Sequence, residues 1–216
     1  MLKFIYTLFF LVVVSSCKEE ASERISLLDY FSIRLVQEAI YDVEEINYSA
    51  GQNIGISNKY QEKVVVKDIH AANNQDIITC EIYIKNDTDI NWTFSSIEKI
   101  ELNPLEVIKT VNQIPYRILI QPVINNNTWD GNVYNNIASQ TYKYSFDKDK
   151  NELRVIENEK ETLIDKYSKY SVYQKGVGLI YEEDVALEYC QTQDCIGEYK
   201  IESGYIKTKI LVIKDS

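Results

Sequence analysis

One histidine, His70, is all that the 216 residues offer, and this scarcity bears on several kinds of chemistry. A Ser-His-Asp site would have to be built on His70, whose surroundings Asp68-Ile69-His70-Ala71-Ala72-Asn73-Asn74 read as a strand end running into a turn. The Gly-x-Ser-x-Gly elbow of serine hydrolases is missing too, so His70 is expected to face solvent. Gly176-Val177-Gly178 lacks the third glycine of a nucleotide loop and leads into strand-like residues, not into a helix whose N-terminus could receive phosphate. No cofactor and no metal is expected.

Long apolar runs are also absent. The longest, Phe4 to Val14 behind Lys3, holds about eleven residues, whereas a permanent membrane helix needs roughly twenty. A positive start, a short apolar stretch and the small Ser15 and Ser16 form a secretory signal. At its end, Val14-Ser15-Ser16-Cys17 resembles the lipobox of bacterial lipoproteins. The resemblance implies a signal peptide over residues 1–16 and acyl chains on Cys17. Each buried methylene contributes about 0.8 kcal/mol, so two or more chains hold a protein at a membrane. Residues 17–26, with Lys18-Glu19-Glu20-Ala21-Ser22-Glu23-Arg24, lack apolar periodicity and read as a lipidated tether. A lysine followed by acidic residues behind the cysteine resembles the surface-export signal of Bacteroidota lipoproteins. The expected place is the cell envelope, at the outer membrane, with its face left open.

The formal charge is −10. An acidic surface repels phosphate backbones, so no nucleic-acid partner is expected. Cys190 and Cys195 bracket the short polar stretch Gln191-Thr192-Gln193-Asp194. In an exported protein they are expected to be bridged, with a metal pair as the alternative; zinc, however, asks for four ligands. Cys80, in an alternating stretch with Ile78, Ile82 and Ile84, is expected to point into the core as a small hydrophobe.

What the sequence has in plenty is period-two alternation. Ile78, Cys80, Ile82 and Ile84 form one face; Tyr142, Tyr144 and Phe146 another; Leu153 and Val155 a third; Ile206, Thr208, Ile210 and Val212 a fourth. Turn clusters separate them at Asn86–Asp89, Asn125–Asn127, Asp147–Asn151 and Gly197. Seventeen tyrosines suit half-buried pleated surfaces, keeping their hydroxyls at the rim. The reading is one mainly β domain over residues 27–216, an antiparallel meander of roughly nine to eleven strands. One short helix is allowed in each of two ambiguous stretches, Leu27–Ile46 and Ser95–Val107.

Two segments carry a further resemblance. Gln121-Pro122-Val123 leads to Thr128-Trp129-Asp130-Gly131-Asn132-Val133-Tyr134-Asn135, and Val172-Tyr173-Gln174-Lys175-Gly176-Val177-Gly178-Leu179-Ile180-Tyr181-Glu182-Glu183 follows. Together behind a lipobox they resemble a group of uncharacterised Bacteroidota lipoproteins, in which a proline-led strand precedes the tryptophan segment. The likeness covers the last hundred residues or so. It implies a meander curled into an open barrel or clam, a shape shared with bacterial lipid and lipoprotein carriers, and no known activity. In residue terms, Trp129 is a large anchor beside Asp130-Gly131-Asn132, a turn in which Gly131 is expected to take positive φ. Gly176 and Gly178 are expected on one side of an extended segment, permitting a bend or close approach. Of the carboxylates Glu182-Glu183-Asp184, only Glu182 and Asp184 share a side, and they read as a solvated rim.

Three functions remain open. The first is a non-catalytic, membrane-anchored binding or assembly module that takes an apolar ligand or an envelope protein partner on a concave face. The second is a purely structural or interaction lipoprotein. The third is an envelope-polymer hydrolase, last because no pair of catalytic groups stands out. A continuous apolar cavity favours the first; a packed interior favours the second.

Overall fold

The computed structural model describes residues 26–33, 37–50 and 54–212. The signal, Cys17 and the tether up to residue 25 lie outside them. Ser26 opens the described chain as the N-cap of a single helical turn, α1 (Leu27–Tyr30), its side chain accepting from the Leu28 N–H. The turn stops at once, and Ala39, Ile40, Tyr41, Val43 and Ile46 serve a strand. Ser95–Val107 is not helical at all: Ile100, Leu102 and Val107 are buried at strand spacing, and pairing with neighbours overrides any local helical preference.

Among the described residues twelve strands follow: β1 (Glu38–Tyr48), β2 (Ile56–Ala72), β3 (Gln75–Asn86), β4 (Thr93–Leu102), β5 (Glu106–Val111), β6 (Ile114–Ile120), β7 (Thr128–Asp130), β8 (Thr141–Asp147), β9 (Glu152–Glu161), β10 (Asp165–Gln174), β11 (Gly178–Tyr189) and β12 (Ile201–Leu211). They form one antiparallel sheet in the order β6-β5-β4-β3-β2-β1-β12-β11-β10-β9-β8-β7. The expected meander is present, with more strands than alternation alone suggests because β7 is too short to show a period. Since β1 pairs with β12, the two halves of the chain join at the middle and the sheet curls until only β6 and β7 remain as edges, nearly closing a barrel. Two tight hairpins have positive φ at both central residues, Asn73–Asn74 and Asn112–Gln113, the twist that suits right-twisted strands.

The free edges meet through one backbone hydrogen bond and several side-chain ones where no ladder exists. Arg117 N–H donates to Gly131 O at 2.9 Å, and the Trp129 indole N–H donates to Arg117 O at 2.8 Å. The Tyr144 hydroxyl donates to Ile120 O at 2.8 Å and accepts from Ile120 N–H at 2.6 Å, acting as one rung of a missing strand. Covering an edge in this way removes a template for unwanted pairing.

The core follows the curl. Ile78, Cys80, Ile82, Tyr142, Tyr144, Leu153 and Val155 are buried as expected. Leu27 and Tyr30 of α1 join them, and Tyr30 meets Phe146 edge-on. The expectation for β12 is reversed: Lys209 is 8% exposed while Ile210 is 51% exposed. Here the interior face carries the lysines, and Ile206 instead packs outside with Val185, Leu187 and Tyr189. The Cys190–Cys195 disulfide lies in the β11–β12 connection, with Cα atoms 5.8 Å apart. It trims a loop that Cys190 N–H also closes onto Lys200 O.

Candidate functional site

The curled sheet encloses a lumen of about 740 Å³, within the range of small-molecule sites. Much of its wall is apolar: Phe31, Tyr41, Val64, Ile100, Val155 and Leu179 contribute. Glu38, Gly176 and Val177 line the same space and are exposed, so they mark the end where the lumen meets solvent.

Further in, the strands deliver charge. Lys109 on β5 meets Glu98 on β4 at 3.0 Å, and Lys169 on β10 meets Glu157 on β9 at 2.9 Å. Lys209 on β12 donates to Glu62 on β2 at 2.5 Å and lies 3.5 Å from Glu182, its directly opposed residue on β11. Burial alone would lower the pKa of Lys209, but Glu182, Glu62 and the Tyr41 hydroxyl outweigh it and hold the ammonium well above its ordinary range. Lys109 and Lys169 are raised in the same way against burial, by Glu98 and Glu157 respectively. For Glu182, burial would raise the pKa, yet Lys209, Lys109 and Lys169 together lower it. Glu182 lines the lumen, where lysines on both flanking strands, β10 and β12, and on β5 act on it, which corrects its reading as a solvated rim. Asp184, on the same strand face, accepts from the Tyr205 hydroxyl at 3.0 Å.

The two sequence motifs fall in different places. Trp129, Gly131 and Asn132 belong to the seam. Trp129 is buried, with its ring centroid 4.4 Å from that of Tyr144, and the Asn132 amide donates to Ala138 O at 2.6 Å. Gly131 does not have the positive φ expected of it; its requirement is space, because a Cβ there would enter the buried Tyr142 ring. The preceding Pro122 sits in a bend, not in a strand. Asp130 accepts from Asn132 N–H and Gln140 N–H, which lowers its pKa. Gly176 and Gly178 sit at the β10–β11 hairpin, both with positive φ; Gly176 is in the turn and Gly178 opens β11, so the two do not share one extended segment. Gly176 N–H donates to Asp29 O at 2.7 Å, docking α1 beside the open end of the lumen, and Gly178 lines it.

Compared with protein-family models and curated proteins, the chain matches no family model and no curated sequence. The geometry therefore has to speak for itself. His70 lies on the exposed end of β2, as expected. Cys80 is a buried free thiol. The residues that sequence reasoning missed are Glu62, Glu98, Lys109, Glu157, Lys169 and Lys209. Their one signal was a charge at an inward position of an alternating strand, which is indistinguishable from an outward charge until the register is known.

Proposed function

We propose that this chain is a lipid-anchored, non-catalytic binding module of the cell envelope, tied to a membrane through Cys17, whose barrel lumen holds an apolar ligand. The observation that carries the reading is the lumen itself. A core built only for scaffolding fills its interior with side chains, whereas here apolar walls surround about 740 Å³ of open space. The three lysine–carboxylate clusters fit the same reading, because a site that orients an apolar molecule places a few polar groups among apolar ones.

Native mass spectrometry of the full-length chain carrying Cys17→Ser, purified without detergent or denaturant, tests the lumen. A mass increment that disappears on denaturation is expected. A bare chain that also fails to take up added alkyl compounds would overturn the ligand-carrying reading in favour of the interaction-lipoprotein one. The anchor is tested separately: wild type is expected in the membrane fraction and Cys17→Ser outside it.

A further inference from the structure

From the charges inside the lumen we infer that its ligand is a cationic amphiphile, an alkyl chain bearing an amine or similar positive head, with the head held by Glu182. This rests on the lumen being a ligand site and goes on to name the ligand's class.

The argument turns on which lumen charges are already engaged. Lys109, Lys169 and Lys209 each have a carboxylate at 3.0 Å or less, in Glu98, Glu157 and Glu62. Of the inner carboxylates Glu182 is the one left over; Glu38 stands at the open end, 3.9 Å from Lys63. The ion-pair contact of Glu182 is the second and longer approach to Lys209, at 3.5 Å. Glu182 also keeps 34% of its side-chain surface open, against 16% for Glu62 and 10% for Lys209. Because it lines the lumen, that open surface faces the space a ligand would fill. Three lysines hold it ionised; with Glu98, Glu157 and Glu62 each matched to one of those lysines, the inner lumen has one carboxylate more than its three lysines match.

The consequences differ by headgroup. A carboxylate or phosphate head would find every ammonium already paired and would face four carboxylates, so reaching a lysine means breaking an enclosed ion pair, which is costly. A cationic head meets an ionised, incompletely paired acceptor and gains a charge-assisted hydrogen bond. Geometry suits a linear molecule as well. Gly178 and Glu182 stand on one strand four residues apart, roughly 13 Å, with the apolar Phe31, Ile33 and Leu179 lining the space. An alkyl chain would lie along that wall with its head inward.

Isothermal titration calorimetry of the full-length Cys17→Ser chain, with laurylamine, lauric acid and lauryl alcohol below their micelle concentrations, tests the assignment. Laurylamine is expected to bind at least about tenfold more tightly than lauric acid. Glu182→Gln, which keeps the side-chain shape, should remove that preference and leave lauryl alcohol unchanged. Lauric acid binding as tightly as laurylamine in wild type, or an amine preference that survives Glu182→Gln, would overturn the inference while leaving the lumen a ligand site. If none of the three binds wild type, the ligand-carrying reading falls with it.

Discussion

Tyr144→Phe isolates the fastening of the barrel seam. The substitution keeps the ring, and with it the contact to Trp129 at 4.4 Å between centroids, so no cavity opens. It deletes the one oxygen that serves both the N–H and the C=O of Ile120. Leaving a buried backbone group without a partner costs about 1–3 kcal/mol. Ile120 is only half-buried, which places each loss near the lower bound and the pair at about 2 kcal/mol. With a urea dependence of about 2 kcal/mol per molar, the unfolding midpoint should fall by about 1 M. A second readout tells a local effect from a global one. Hydrogen exchange at the Ile120 amide should accelerate by about thirtyfold, while amides of β2 and β3, far from the seam in the sheet, follow only the global change. A midpoint shift under about 0.3 M together with unchanged Ile120 protection would show that the Tyr144 hydroxyl does not hold the edge, and the account of closure would fail.

Other consequences follow from burial and space. Gly131→Ala should cost about 2 kcal/mol, because the new methyl meets the buried Tyr142 ring. Gly176→Ala, with open space around it and only its positive φ to strain, should cost about 1 kcal/mol; equal costs in thermal melts would contradict the distinction. Burial pushes the Cys80 thiol up to about 11, with Glu98 adding to the effect and Lys109 opposing it. In the Cys17→Ser chain it should resist iodoacetamide at pH 8 until denaturant is added, and rapid labelling of native protein would refute its place in the core. Burial also raises the hydroxyl of Tyr41, to about 12, and those of Tyr142, Tyr144 and Tyr173. Their folded pKa values exceed the unfolded value of about 10, so stability is intact below that pH and is lost as pH rises through the folded values. Phenolate absorbance from these residues should appear together with loss of the fold, and full ionisation of all tyrosines in a still-folded protein would disprove it.

The meander was legible because its signal is local. Ile78, Cys80 and Ile82 alternate with polar neighbours, as do Tyr142 and Tyr144, and Asn or Gly clusters punctuate them. Each signal spans a few residues and needs no knowledge of a partner. The β7 strand was not legible, since Thr128-Trp129-Asp130 is shorter than any period, and Trp129 reveals its role only by reaching Arg117. The disulfide was legible for the opposite reason: a pair of cysteines five residues apart is its own short-range evidence.

The interior charges escaped notice because their meaning depends on distance in sequence. Lys209 and Glu62 are 147 residues apart, and nothing near either announces the other. In β12 the isoleucines at 206 and 210 made the usual assumption, apolar side inward, point the wrong way. A strand in a nearly closed barrel has two half-buried faces: the lumen on one side and, along β11 and β12, an outer cluster around Val185 and Leu187. When apolar residues can be sheltered on the outside, alternation still fixes the period but no longer fixes its phase. The phase is then set by pairing. Glu182 stands opposite Lys209 in the ladder, and turning β12 over would take from the lumen the lysine that both Glu62 and Glu182 approach. Buried ion pairs add little net stability, but uncompensated ones cost several kcal/mol, so the charges that the sequence concealed serve to select the register that builds the site.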